Sequence, residues 1–154
     1  ARRNVAANGA RAAVVCGDVL AVARARTGEA ALVVCNPPYF EPGAGRPSRV
    51  AAGARVGELE RFVRAAREVL GRRGRACFVY PANDLSRLFA CARAAGIEPK
   101  RLRLVHATAR PPARVALVEL RASKAGGLAI EPPLVERDGS HEYTNECARL
   151  LGLA

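Results

Sequence analysis

An α/β fold built on one doubly wound sheet, mostly parallel with an antiparallel strand near the C-terminus, is what this sequence predicts. Three observations point there. Short apolar runs alternate with stretches of helical period between Ala12 and Ala95. One run, Ala30–Cys35 (AALVVC), is apolar without interruption, as in a parallel strand buried on both faces. Two further runs, Arg101–Ala107 and Arg114–Leu120, are joined by a short connection through Pro111-Pro112, which implies antiparallel pairing. At 154 residues, half of them hydrophobic, the chain is the size of one domain with a real core.

Taken in order, Ala1–Asn8 has helical character and stops at Gly9. Ala12–Asp18 (AAVVCGD) reads as a short buried strand closed by an acid, and Val19–Arg26 as a short helix stopped near Gly28. The strand Ala30–Cys35 runs into Asn36-Pro37-Pro38-Tyr39-Phe40 and a loop over Glu41–Gly53 rich in Gly, Pro and Arg. Leu59, Phe62, Val63, Ala66 and Leu70 repeat at helical spacing, so Val56–Leu70 is a helix, with Gly71 and Gly74 bracketing a turn. Ala76–Tyr80 is the next strand; Asp84–Ala95 is a helix that Asn83 or Asp84 can cap. The two closing strands follow, and Glu142–Leu151 includes a last short helix.

No run approaches the roughly 20 apolar residues of a membrane span, and no signal-peptide pattern is present. The five cysteines (Cys16, Cys35, Cys77, Cys91, Cys147) form no CxxC pair and no metal-ligand spacing. They read as reduced, mostly small core residues of a cytoplasmic protein without a metal. The net charge of +11 suits an anionic partner such as nucleic acid. Almost all of it is arginine, since Lys occurs only at 100 and 124, and an Arg- and Ala-rich composition from a GC-rich genome accounts for it equally well.

In doubly wound sheets ligands bind at the carboxyl ends of strands, and Asp18 and Asn36 both fall at such ends. The Asn-Pro-Pro-Tyr stretch has a chemical logic there. An exocyclic amine on a base, or a side-chain amide, has a delocalised lone pair and is a poor nucleophile. The Asn36 side-chain oxygen can accept one of its N–H groups and the Pro37 carbonyl the other. Together they localise the lone pair and aim it. Two prolines stiffen the backbone so that the carbonyl points inward. Tyr39 offers a flat face on which the target group stacks.

With these residues the sequence resembles the class I S-adenosylmethionine-dependent methyltransferases that act on planar amines, which carry Asn/Asp-Pro-Pro-Tyr/Phe after the fourth strand. The resemblance implies a Rossmann-like methyltransferase sheet over residues 1–154 as one domain, with S-adenosylmethionine as cofactor. ARRNVAANG looks like the helix after the second strand of these enzymes. VVCGD looks like their third strand, whose closing acid hydrogen-bonds the cofactor's adenine amine, which makes Asp18 a cofactor-binding candidate; capping of the helix at Val19 is the other reading of the same residue. Asn36, Pro37 and Tyr39 become the catalytic residues, Asn36 also facing the cofactor. Pro38, Phe40, Arg46 and Arg49 become substrate-binding candidates. Downstream, EPKRLRLVHATARPPARVALVEL and EPPLVERDGSHEYTNE are similar to the bacterial adenine-N6 methyltransferases that modify an anticodon-loop adenine of a valine tRNA. RNA, and tRNA in particular, is the implied partner.

Two departures from the family pattern stand out. No Gly-x-Gly precedes the Asn-Pro-Pro-Tyr strand, although the family holds the methionine part of its cofactor with such a loop. The acid that closes the second strand is missing as well. The expectation is a domain lacking its first strands, which binds S-adenosylmethionine weakly and is inactive alone. The family's Ala-Arg-x-Glu is also altered, because Ala54-Arg55 is followed by Val56-Gly57 and Glu58 falls one place late. Other readings stay open: glutamine-N5 or guanine-N2 methyl transfer, which use the same tetrapeptide, and a non-catalytic RNA-binding module. The Glu41–Gly53 loop is either a lid whose Arg46 and Arg49 meet phosphates or a solvated loop. Lys100, Arg101 and Arg103 form a basic face or only the solvent side of a strand. His106 and His141 lack acid or Cys partners at ligand spacing, and His106 reads as a structural histidine.

Overall fold

The computed structural model describes residues 1–37 and 49–153, with side chains over 1–37 and 58–153. Its elements are α1 (Arg2–Ala7), α2 (Val19–Arg24), β1 (Ala30–Cys35), α3 (Arg49–Val69), β2 (Leu70–Pro81), α4 (Leu85–Ala94), β3 (Glu98–His106), β4 (Val115–Arg121), β5 (Ala129–Ile130), β6 (Leu134–Val135) and α5 (Asn145–Leu151). They form a six-stranded sheet in the order β1-β2-β4-β3-β5, with β6 continuing beside β3. β1 and β2 are parallel, β4 is antiparallel to both β2 and β3, and β5 and β6 are parallel to β3. The sheet is therefore mostly parallel with one inserted antiparallel strand, as expected. β1, β2, β3 and β6 all end at the same edge.

α3 and α4 cover one face. Leu59, Val63 and Ala66 of α3, with Leu88 and Ala92 of α4, pack on Ala76, Phe78 and Tyr80 of β2 and on Ala116, Val118 and Leu120 of β4. Period-two alternation in β2 and β4 sends these residues to one side. The other side carries Leu32, Val34, Cys77 and Leu117, and it is open: Val34 is 72% exposed. Arg101, Arg103, Glu119 and Glu131 border an apolar groove of about 350 Å³ on that face. No helix of the described residues is long and apolar enough to cross a membrane.

Several expectations are corrected. Ala12–Asp18 is not a strand, because no neighbour in the described residues takes its N–H and C=O groups into a ladder, and Val15 is 58% exposed. The helix expected from Val56 begins at Arg49, so the last five residues of the anticipated Glu41–Gly53 loop are helical, and Arg49 stands at the start of a helix rather than in a lid or a solvated loop. Gly71 and Gly74 lie inside β2. Pairing passes from Ala30↔Leu70 to Leu32↔Arg75, so two steps on β1 match five on β2, and the expected turn becomes a bulge. A β-carbon at Gly74 would lie 2.7 Å from the Ala30 carbonyl oxygen and 2.8 Å from Leu70 Cδ2, which is why glycine stands there. β5 and β6, two residues each, were not anticipated. They are too short to carry a period. The cysteines are all unpaired thiols, but only Cys147 is buried, and Cys16 is exposed.

Candidate active site

β1 delivers Asn36 to the carboxyl edge. Asn36 is exposed, and among the described residues no hydrogen bond engages its side chain, so its amide oxygen is available to a ligand. Pro37 behind it is fully buried. A buried ring with φ fixed holds the backbone direction at this point. Cys35, just before Asn36, has its thiol pushed by burial up to about 11. It stays protonated at neutral pH and is no nucleophile. Pro38, Tyr39, Phe40 and Arg46 lie outside the described residues, and of Arg49 only its place at the start of α3 is described.

Asp18 takes the capping role that the sequence offered as one of its two readings. Its Oδ1 accepts from the N–H groups of Leu20 (3.1 Å) and Ala21 (3.0 Å), at the N-terminus of α2. Its Oδ2 is paired with the Arg61 guanidinium from α3. The Ala21 N–H bond, then the Arg61 charge and the Leu20 bond, hold the carboxyl below its ordinary range. Gly17, Asp18, Val19, Glu58, Arg61 and Phe62 line a cavity of about 240 Å³ between α2 and α3. The sequence does not single out Arg61, and it marks Phe62 and Glu58 only as part of a helical repeat and as a displaced motif acid. Their helical period marked α3 but not which of its residues would meet Asp18.

A second group sits at the carboxyl end of β2. The buried Tyr80 hydroxyl donates to Asp84 Oδ2 at 2.8 Å. Burial first, then this bond, pushes the phenol well above its ordinary value. Asp84 therefore serves Tyr80. It makes no side-chain cap to α4, contrary to expectation. His106 Nδ1 lies 2.9 Å from the Pro111 carbonyl oxygen and ties the β3–β4 connection, a structural role as anticipated.

Lys100, Arg101 and Arg103, read from the sequence either as part of a basic face or as the solvent side of a strand, are engaged internally. Lys100 Nζ donates to the carbonyls of Lys124 (2.7 Å) and Gly126 (2.5 Å). Arg101 pairs with Glu131 at 2.5 Å and stands 3.9 Å from the buried Glu119. Arg103 pairs with Glu146 at 2.6 Å. These residues clip the C-terminal segment to β3. Among the described residues no cluster of His, Cys, Asp or Glu has the make-up of a metal site.

The fold these elements define is that of S-adenosylmethionine-dependent methyltransferases. Solved structures similar to it include a predicted O-methyltransferase of Agrobacterium tumefaciens, with a TM-score of 0.65 and 21% identity over 91% of this chain and 60% of that one. A protein of Thermus thermophilus assigned as a DNA modification methylase, solved with S-adenosyl-L-methionine, gives a TM-score of 0.56 and 18% identity over 88% of this chain and 70% of that one. The present chain thus spans 60% of the Agrobacterium protein's length. No protein-family model matches the sequence, and no curated protein matches it.

Proposed function

We propose that the protein is an S-adenosylmethionine-dependent N-methyltransferase acting on the N6 amine of an adenine in RNA, with tRNA as the substrate. The observation that carries this reading is the exposed Asn36 amide, unengaged among the described residues, beside a buried Pro37, at the carboxyl end of a strand in a methyltransferase fold.

The residues present fit the adenine end of the cofactor. Asp18 lines a cavity of about 240 Å³, and its carboxylate, with about four lone-pair positions and three donors already bound, keeps room for one more N–H. No Gly-x-Gly that would cradle the methionine end lies between Ala1 and β1. When bound, S-adenosylmethionine supplies a methyl group already activated on a sulfonium sulfur. Asn36 Oδ1 accepts one N–H of the target amine and the Pro37 carbonyl the other, which orients the nitrogen lone pair. The burial of Pro37 fixes that carbonyl before the substrate arrives. In this reading Tyr39 stacks the base, Pro38 and Phe40 shape its slot, and Arg46 and Arg49 meet flanking phosphates. Anticodon loops present unstacked bases, so they lower the cost of reaching N6.

The test uses the protein with any residues its open reading frame encodes ahead of Ala1. It is incubated with unmodified tRNA and S-adenosylmethionine, and the digested RNA is examined by mass spectrometry. N6-methyladenosine is expected with the wild type. Asn36→Ala is expected to lower the rate at least about 100-fold, with thermal stability unchanged because Asn36 is exposed. Full activity of Asn36→Ala would refute its role. The likeness to the Thermus DNA modification methylase supports a second arm with DNA. Methylation of DNA alone would replace RNA with DNA in the reading, and methylation only of a protein glutamine would overturn the nucleic-acid reading.

A further inference from the structure

The tail stretch ERDGSHEYT, Glu136 to Thr144, plays no part in the chemistry at Asn36, yet it is built with care at the same edge of the sheet. β6 runs parallel to β3 and leads into it. At its foot Glu136 N–H donates to the His106 carbonyl (2.8 Å), Arg137 N–H to the Ala107 carbonyl (3.0 Å) and Thr144 N–H to the Glu136 carbonyl (3.0 Å). The Thr144 hydroxyl donates to the Val135 carbonyl at 2.6 Å. At its tip Asp138 Oδ1 accepts from the N–H groups of Ser140 (2.8 Å) and Glu142 (3.2 Å). His141 is held at φ 65°, a conformation that a β-carbon disfavours.

This frame fixes one pair of side chains. Arg137 Nη1 donates to the His141 carbonyl at 2.6 Å, which pins the guanidinium with its Cζ 4.2 Å from the centre of the Tyr143 ring. Arg137 and Tyr143 also form an isolated antiparallel bridge. Tyr143 is exposed and is not part of the small apolar cluster of Val105, Leu134 and Cys147 beneath the segment. Tyr143 is thus packed on one side by its cross-strand partner Arg137, and it keeps 39% of its surface accessible to a ligand.

We propose that the Arg137–Tyr143 stack is a docking platform for a second, unstacked nucleobase of the nucleic-acid substrate, distinct from the base that is methylated. This rests on the nucleic-acid reading above. Every base presents a π-face to such a ring, and the guanidinium is the one cation of a segment that also carries Glu136, Asp138 and Glu142, so stacking rather than phosphate attraction would hold the base. The rigid hairpin removes the ordering cost that a mobile aromatic would pay on binding. From β1 to β6 the edge crosses four inter-strand gaps of about 4.8 Å, and Tyr143 pairs with Arg137 across a fifth, so its ring stands roughly 24 Å from Asn36, a span that several nucleotides of unstacked strand bridge.

The chain contains no tryptophan, so Tyr143→Trp introduces a single fluorescent reporter at the platform. Binding is followed twice: by anisotropy of fluorescein-labelled unmodified tRNA, which reports attachment anywhere, and by quenching of the indole, which reports stacking at position 143. Saturable quenching at the concentrations that raise the anisotropy is expected, with none from a polyphosphate chain. Tyr143→Leu should weaken tRNA binding about tenfold, and Tyr143→Phe should not. Binding without quenching, quenching by polyphosphate, or equal affinity of the Leu and Phe variants would overturn the platform and leave the methyltransferase reading intact. Failure of the wild type to bind any RNA or DNA would overturn the nucleic-acid reading and the platform with it.

Discussion

Tyr80→Phe removes one oxygen from the molecule and leaves the ring where it is. The lost group is a buried hydroxyl donating to Asp84 Oδ2 at 2.8 Å. A hydrogen bond to a charged acceptor contributes a net ~1.5–3 kcal/mol, so the variant should lose about 2 kcal/mol of stability. For a chain of this size each kcal/mol shifts the melting temperature by roughly 2–4 °C, which predicts a fall of about 4–8 °C. Asp84→Ala removes the same bond from the other side and should cost a similar amount. The double variant is the decisive measurement. If the two groups serve each other, the losses overlap, and a double-mutant cycle of urea unfolding followed by circular dichroism should show a coupling of about 1.5 kcal/mol or more. If Asp84 instead caps α4, its loss costs about 1 kcal/mol and adds to that of Tyr80→Phe with no coupling. Additive losses would refute the assignment of Asp84 to Tyr80.

The same phenol makes stability pH-dependent at the alkaline end. Its folded value is raised above the ordinary 10.0, by burial first and the Asp84 bond second. Above that pH the unfolded chain holds fewer protons than the folded one, so stability is lost as pH rises past about 10, and Tyr80→Phe should flatten that decline in a series of urea titrations. An identical slope in both proteins would contradict the burial of the hydroxyl. At the bulge in β2, Gly74→Ala should cost about 1–3 kcal/mol, because its β-carbon meets the Ala30 carbonyl oxygen at 2.7 Å and the backbone cannot yield there without breaking the β1 register. An unchanged melting temperature would show that β1 and β2 pair differently.

Much of this architecture was legible from residue order because the signals are local. The apolar run of Ala30–Cys35 forms β1 with the expected bounds, although Leu32 and Val34 leave one of its faces open rather than buried on both sides as expected, and the spacing of Leu59, Val63 and Ala66 marks the face of α3 that enters the core. The Pro111-Pro112 connection between two apolar runs forces β3 and β4 into an antiparallel pair. Asn36 could be placed at a strand's carboxyl end from the strand alone. Local pattern failed where a neighbour decides. Ala12–Asp18 has a strand's composition but no ladder partner among the described residues, and Arg49–Gly53 has a loop's composition yet continues α3. Asp84 stands where a cap belongs and was drawn instead to a phenol four residues earlier.

By itself the sequence determined the alternation of strand and helix, the single antiparallel insertion and the residues Asn36-Pro37 that define the proposed chemistry, since each depends on side chains adjacent in the chain. Only the tertiary structure decided how Asp18 spends its carboxylate, how the clips of Lys100, Arg101 and Arg103 absorb charge that looked free, and where Arg137 lies against Tyr143. Most of these contacts join residues far apart in the chain. The last joins near neighbours, but only because the strained turn at His141 folds them together. The energies of such pairings depend on distance and burial, which no pattern along the chain encodes.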